Sequence, residues 1–381
     1  AEAEAWGDRV RPSAKRDRED LRELPIPVVR HAVHYGREAG GIHVRRSPFD
    51  AKVIDILFID KDGRDLPPGK TQSIERLFAR EDFPRAGPEG TGDLNFPTRI
   101  VEGYSEHFLA ETKIEPIAKR RFNVVVDFAY GTTVAVLPGL LGALQAEIVS
   151  INAYAAPGRL SRTEQEFAES LDRLGGIVRS IRADLGIWID PGGEVIQLID
   201  DAGRSLAPEM TQLILVELAM QHLGVRRVAI PVTSPAAVAD SIRRHGGEVL
   251  WTKTEHHAMM ASATTADMVA GARGEFIFPH FLPAYDGLFA VAKLLEALAL
   301  ADTRLSVLAD SHRPMFVRQE RVACPWGRKG AVMRRLMQET ESEQRDLVDG
   351  VKIWKAEKEW ALIIPHSDKP YFVVTVESAD E

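Results

Sequence analysis

The chain has 381 residues, with 48 Lys+Arg against 56 Asp+Glu for a formal charge of −8, and it is 45% hydrophobic and 27% charged. That composition suits a globular protein of two to four cores, excludes disorder of the whole, and argues against a nucleic-acid surface as its main business. The single cysteine, Cys324, cannot form an internal disulfide, and no apolar run approaches the ~20 residues of a membrane span, so the sequence implies a cytoplasmic protein with no membrane partner.

Residues 1–20 show no apolar period and begin on Ala1, which reads as a linker or a cut end. Two prolines lead into a short helix within 24–35, Gly40-Gly41 open a strand at 42–44, and a loop over 45–51 precedes a strand at 53–59. Asp62-Gly63 turns the chain into a helix over 71–79. A second block opens near Phe96, with helix 98–109, strand 123–128, helix 133–144, strand 147–151, helix 163–180, and strands 185–189 and 195–199. Strand and helix alternate, as in a parallel sheet covered by helices. A third block from Ala207 varies the scheme without a residue-level repeat of the second: helix 208–223, strand 228–231, a helix capped by Ser234, strands 248–251 and 275–278, and an amphipathic helix over 286–300. The last block begins near Phe316. It has a helix over 330–340 and strands at 351–355, 360–364 and 371–376, which imply an antiparallel sheet with helices on one face.

The chain is organised around 183–203, where an apolar strand ends in Asp190, the turn Pro191-Gly192-Gly193 follows, and a second apolar strand leaves. Ligands of α/β proteins collect at such strand ends. This stretch resembles the metal loop of the α-D-phosphohexomutases (phosphomannomutase and phosphoglucomutase), Asp-Gly-Asp-x-Asp-Arg. Residues 123–152, 276–287 and 349–354 are similar to other framework segments of that family. The resemblance runs from about Leu24 to the end. It implies consecutive three-layer α/β/α domains, the first incomplete at 21–95, then 96–206 and 207–315, followed by a smaller α+β domain with an antiparallel sheet at 316–381.

The family works through four loops, and the resemblance assigns each a counterpart. The phosphoserine loop falls on Arg45, Arg46, Ser47, Pro48, Phe49 and Asp50, with Ser47 at the nucleophile and the two arginines able to hold phosphate oxygens. In the metal loop Asp190 and Glu194 offer two carboxylates for Mg2+, enough for weak binding or none, while Gly192 takes the middle aspartate's place and Val195 the arginine's. The sugar loop falls on 271–275, where Arg273 and Glu275 are candidate polar contacts in place of the family's Glu, Ser and His. The phosphate loop falls on 364–370, where His366, Ser367 and Lys369 could attract an anion and Asp368 would repel one. The bland readings are an Asp190 that only forms its turn and a solvated Glu194. Gly69-Lys70-Thr71 lacks the spacing of a P-loop and is preceded by two prolines, His256-His257 reads as a surface turn, and Cys324 as a core or interface thiol.

All four loops depart from the family pattern together. The expectation is therefore a sugar-phosphate-related module without efficient mutase turnover, of the kind that forms the C-terminal part of fused mannose-1-phosphate guanylyltransferases, with an upstream nucleotidyltransferase domain and an oligomer as implied partners. The alternatives are a divergent active mutase using a phosphorylated Ser47 and Mg2+, or a structural assembly module that binds no sugar.

Overall fold

The computed structural model describes residues 17–48, 50, 52–81, 92–356, 358–367 and 369–378. Of the linker expected over 1–20, residues 1–16 lie outside the described residues, as do Phe49, Ala51 and Asp368 of the loops named above, while Arg18–Glu19 form a short strand and not a linker.

The first unit contains β1 (Arg18–Glu19), α1 (Ile26–Tyr35), β2 (Gly40–Arg46), β3 (Ile54–Asp60), α2 (Pro68–Ala79) and β4 (Leu94–Asn95). β2 and β3 form an antiparallel hairpin, and β1 pairs in parallel with β4. The second unit runs α3 (Ile100–Ala110), α4 (Ile114–Arg120), β5 (Asn123–Asp127), α5 (Leu137–Ala143), β6 (Glu147–Ile151), α6 (Glu164–Ile181), β7 (Leu185–Ile189) and β8 (Ile196–Ile199). Its sheet order is β6-β5-β7-β8, parallel except for β8. The third unit runs α7 (Pro208–His222), β9 (Arg227–Pro231), α8 (Ala236–Arg244), β10 (Glu248–Thr252), α9 (His256–Ser262), β11 (Met268–Ala270), β12 (Phe276–Ile277), α10 (Gly287–Ala301) and α11 (Leu305–Ser311). Its order, β10-β9-β11-β12 with β12 antiparallel, repeats that of the second sheet. The chain closes with β13 (Phe316–Ala323), α12 (Trp326–Glu339), β14 (Gln344–Asp346), β15 (Val351–Ala356), β16 (Glu359–Pro365) and β17 (Tyr371–Ser378), an antiparallel sheet of order β13-β17-β16-β15-β14.

The second sheet shows why these runs are strands. Alternate residues feed two cores: Val124, Val126, Leu185 and Ile187 face the main one, while Val125 and Trp188 meet Leu174 and Val178 of α6 on the other face. α6 starts where Thr163 accepts from the Glu166 N–H and the Glu166 carboxylate reaches back to Thr163, a capping box. α10, expected to be amphipathic, is buried from Gly287 through Leu298, because it lies inside the main core. Ser234 does not cap α8. Its hydroxyl accepts from Gln212 Nε2 at 2.8 Å, and the Ala236 N–H is instead met by the Glu377 carboxylate at 2.9 Å. Gly69-Lys70-Thr71 lies in the first turn of α2, and His256-His257 opens α9.

A residue-level repeat does exist, between the first and second units. Ile59-Asp60-x-x-Gly63-Arg64-x-Leu66-x-Pro68-x-x-Thr71-Gln72 recurs as Ile199-Asp200-x-x-Gly203-Arg204-x-Leu206-x-Pro208-x-x-Thr211-Gln212. Its geometry repeats too. Arg64 and Arg204 donate their N–H to Asp60 Oδ1 and Asp200 Oδ1 at 2.9 and 2.8 Å. Gly63 and Gly203 take φ of +79° and +76°, which is why both are glycine.

α10 is pinned by Asp286, 2% exposed, whose Oδ1 accepts the Phe289 N–H at 2.9 Å and whose Oδ2 accepts the Tyr104 hydroxyl at 2.8 Å. Burial pushes its carboxyl up to about 7 against the pull of those donors. A carboxyl raised in the folded state contributes stability that is fully present below its unfolded pKa of ~4 and is lost as pH rises through the folded one. Relative to Asp286→Asn, the wild type is therefore expected to lose on the order of 2–4 kcal/mol of unfolding free energy between about pH 4 and 7, read from urea titrations at each pH. Parallel pH curves for the two proteins would refute this.

Candidate functional site

In each of the first three units, a loop follows the first strand of an antiparallel pair. The β2–β3 loop carries Ser47, the β7–β8 turn carries Asp190 to Val195, and the β11–β12 turn carries Gly271 to Glu275. The last two are joined directly: Val195 bridges Glu275, and Ile196 N–H donates to Gly274 O at 3.0 Å. Gly274 has φ +95°, and a Cβ there would lie 2.1 Å from Ile196 O, so only glycine fits the crossing. The Asp190 turn is also held from both sides, by Ile26 N–H to Gly192 O at 2.9 Å and Gly287 N–H to Gly193 O at 2.8 Å.

Asp190 uses both carboxylate oxygens on its own turn. Oδ1 accepts from the Glu194 and Val195 N–H groups at 2.6 and 2.7 Å, and Oδ2 accepts from Gly192 N–H at 2.9 Å. Enclosure pushes its carboxyl up, and the Glu194 charge adds to the shift. Glu194 is buried at 7% exposure, not solvated as expected, because Arg30 Nε and Nη2 lie 3.2 and 3.0 Å from its Oε1. Arg30 is itself 1% exposed and pairs also with Asp65 Oδ1 at 2.7 Å and Gly63 O at 3.1 Å. From β2, Arg45 Nη1 stands 3.7 Å from Glu194 Oε2, and a Cβ on Gly192 would meet that nitrogen at 2.7 Å.

Mg2+ demands several hard oxygens in near-octahedral array. The residues present do not fit that ion. The Asp190 oxygens are taken by N–H donors, Glu194 is taken by arginines, Gly192 offers no carboxylate, and among the described residues no three His, Cys, Asp or Glu gather as a metal-holding group.

Ser47 is buried, its N–H donates to Val53 O at 2.9 Å, and its carbonyl accepts the Ser161 hydroxyl at 2.5 Å. Arg162 N–H reaches Pro48 O at 3.3 Å, so the segment after β6 is laced to this loop. Arg46 is exposed at the rim. Arg45 is half-buried, and its Nε makes no hydrogen bond, with Asp55 Oδ2 3.5 Å away. Arg162 Nη1 is also buried without a hydrogen-bond partner. The guanidinium groups of Arg159 and Arg162 stand 5.1 and 5.5 Å from the Tyr130 ring centre. Burial, then the Arg45 charge, push His43 down to about 4, so it is neutral at ordinary pH. These loops border a cleft of about 1270 Å³ whose wall includes Arg45, Arg46, Pro48, Tyr130, Asp190 and Gly192.

Arg273 and Glu275 of the third turn are spent on each other: the Glu275 carboxylate accepts the Arg273 N–H at 2.9 Å and its Nε at 3.2 Å. His366, Ser367 and Lys369 stand apart, on the β16–β17 loop. That loop is held within the C-terminal sheet by Lys329 Nζ, which donates to His366 O at 2.6 Å and Lys369 O at 2.5 Å. The structure thus brings together Arg45, Ser47, Asp190 and Glu194. Three arginines that the sequence reading passed over stand nearby: Arg30 pairs with Glu194, while Arg159 and Arg162 lie against Tyr130, a residue of the cleft wall. The Gly158-Arg159 turn with arginines three apart was a usable signal. Arg30, inside an apolar helix, gave none.

The family model described as phosphoglucomutase/phosphomannomutase, alpha/beta/alpha domain II, matches residues 102–203, and that for alpha/beta/alpha domain III matches 209–316. A phosphoglucomutase/phosphomannomutase of Thermococcus kodakarensis is 25% identical over 366 residues, covering 95% of this chain and 80% of that protein. A phosphoglucosamine mutase of Methanococcus vannielii is 23% identical, covering 90% and 77%. Among solved structures, a phosphoglucomutase/phosphomannomutase family protein from Burkholderia thailandensis superposes with TM-score 0.81 at 19% identity, covering 96% of this chain and 79% of that one. An Aspergillus fumigatus N-acetylphosphoglucosamine mutase in complex with GlcNAc-6P and magnesium gives 0.60 at 10% identity, covering 93% of each.

Proposed function

This chain belongs to the phosphoglucomutase/phosphomannomutase family, and from that premise we propose that it holds a phosphorylated sugar in the cleft beside Ser47 without passing the phosphoryl group on. The observation that carries this reading is the Asp190 turn, whose carboxylates are committed to backbone N–H groups and to buried arginine. Phosphoryl transfer depends on cation, donors and nucleophile acting as a unit, and loss of one member costs nearly as much as loss of all. Arg45, on the cleft wall, supports an anionic ligand: its Nε makes no hydrogen bond among the described residues and has only the 3.5 Å ion pair with Asp55, and a buried donor left unmet costs ~1–3 kcal/mol that phosphate oxygens would relieve. The cleft of about 1270 Å³ has room for a hexose phosphate.

A second reading, an active mutase, is favoured by the names of the relatives, which are mutases, and by the place of Ser47 on the loop after β2. The reading that sets the chain behind a nucleotidyltransferase domain draws on the sequence resemblance alone.

The test is incubation with glucose, mannose and glucosamine 6-phosphates, Mg2+ and a bisphosphate activator, followed by phosphorus NMR, thermal melting and the mass of the Ser47 peptide. Expected are a raised melting temperature with at least one sugar phosphate, no 1-phosphate product and an unmodified Ser47, since a ligand bound only to the folded state stabilises it. Turnover that disappears in Ser47→Ala would replace this reading by the mutase. Absence of any stabilisation would leave an assembly module.

A further inference from the structure

We propose that the guanidinium groups of Arg30 and Arg45 have taken over the work of a divalent cation at the Asp190–Glu194 turn, so that the cleft holds its phosphate-bearing ligand without a metal. The ligand half of this statement rests on the function proposed above; the metal half stands on the geometry of the turn.

Arg30 and Arg45 bring two positive charges to Glu194, one at 3.0 Å and one at 3.7 Å, and Asp65 at 2.7 Å completes the neutralisation of Arg30. Asp55 Oδ2 lies 3.5 Å from Arg45 Nε as well, and Asp190 is met by three backbone N–H donors, so both carboxylates of the turn already have partners within the protein. A dication placed among these carboxylates would lie within a few ångströms of both guanidinium groups, where like charges repel by about 4 kcal/mol per unit pair at 4 Å even at an effective dielectric of 20. A side chain at Gly192 would displace Arg45 from the turn, since the Cβ position is 2.7 Å from Arg45 Nη1 and 3.0 Å from Asp190 Oδ2. The replacement also supplies what a metal would give a phosphate. Arg45 lines the cleft, its Nε makes no hydrogen bond among the described residues, and a planar guanidinium presents N–H groups in a fixed fork that suits phosphate oxygens, with no tightly held water shell to strip. The anchoring charge is thus built into β2 and α1.

Mn2+ alone serves as the first probe, read by electron paramagnetic resonance on the full chain. The spectrum of free aqueous Mn2+ is expected throughout. An immobilised signal that Glu194→Gln releases would overturn the proposal, whatever the fate of the sugar-phosphate reading. The second probe is glucose 6-phosphate, titrated calorimetrically with EDTA and then with Mg2+. Equal affinity in the two, and a loss of about tenfold or more in Arg45→Met with EDTA present, are expected for removal of a charge-assisted contact worth ~1.4 kcal/mol or more. Binding that requires Mg2+, or an affinity untouched in Arg45→Met, would sink the idea while leaving sugar-phosphate binding intact. Failure of every sugar phosphate to bind would sink the ligand half together with the function it rests on, and the Mn2+ spectrum would still decide the metal half.

Discussion

Arg30→Met is expected to lower the unfolding free energy by about 3–5 kcal/mol, the cost of removing one member of a buried ion-pair network and leaving its partners uncompensated. Arg30 is 1% exposed and joins three distant parts of the chain: its own helix, Asp65 after β3, and Glu194 in the Asp190 turn. Burial works against its charge, but Asp65 and Glu194 outweigh that and hold it protonated. Methionine keeps much of the volume, so packing loss is the smaller part and the stranded carboxylates the larger. Arg45 at 3.7 Å offers Glu194 partial relief, which sets the lower end of the range. Urea denaturation at neutral pH measures the loss. Adding Asp65→Asn and Glu194→Gln to Arg30→Met is then expected to restore at least half of it, because a neutral triad has no charge to strand. A single-variant loss below about 1 kcal/mol would mean that water reaches the triad and that the ion pairs behave as exposed ones do.

The sequence revealed the parts of the fold that local pattern determines. β5 and β7 are apolar runs bounded by turns, as strands covered on both faces must be, while β6 is a half-exposed edge strand, and all three lie within a residue of their expected places. The pattern failed where elements were short or fully enclosed. β11 has three residues and α9 seven, too few for a period to show, and α10 is buried around its circumference, with Lys293 and Glu296 paired to each other at 2.8 Å, so one visible stripe understated its burial. At the site, Ser47, Asp190 and Glu194 were legible because each sits on a turn between two recognisable strands, and Arg45, expected at the start of a loop, lies in the last part of β2 paired with Asp55. Their chemistry was not. Whether Glu194 faces solvent or a cation depends on Arg30, 164 positions away, and a lone arginine between Val29 and His31 reads as the polar side of a helix. The cap of α8 failed for the same reason, since Ser234 was the plausible local acceptor and Glu377 the actual one, 141 positions from the Ala236 N–H that it accepts. The repeat around Asp60 and Asp200 is visible in the sequence, but it links the first unit to the end of the second, whereas the alternation of strand and helix likens the second to the third.

The second large effect is expected at the seam between the third unit and the C-terminal sheet, where Trp360→Ala should cost about 3–5 kcal/mol and expose that sheet to proteolysis. Trp360 is 1% exposed and packs with Val232 and Leu362. Lys352 Nζ stands 3.8 Å over its ring and 4.5 Å from that of Trp354, and donates to Val232 O at 2.8 Å across the seam. The indole N–H donates to Glu377, whose carboxylate also takes the Ala236 N–H and thereby caps α8. Burial pushes Lys352 down to about 8 and the Glu377 carboxyl up, so both depend on close partners to stay charged. Truncation to alanine therefore removes three supports together: the packed ring, the cation–π partner of Lys352 and a donor to Glu377. Lys352→Met separates them, because it keeps the ring packed and forfeits the cation–π contacts with Trp354 and Trp360, one hydrogen bond and a positive charge near Glu377, an expected cost of about 2 kcal/mol. Limited proteolysis supplies the second reading, with early cuts in the C-terminal sheet in Trp360→Ala and none in Lys352→Met. Equal losses in the two variants would place the stability of the seam in the lysine and its carbonyl partner, and not in the tryptophan that cages it.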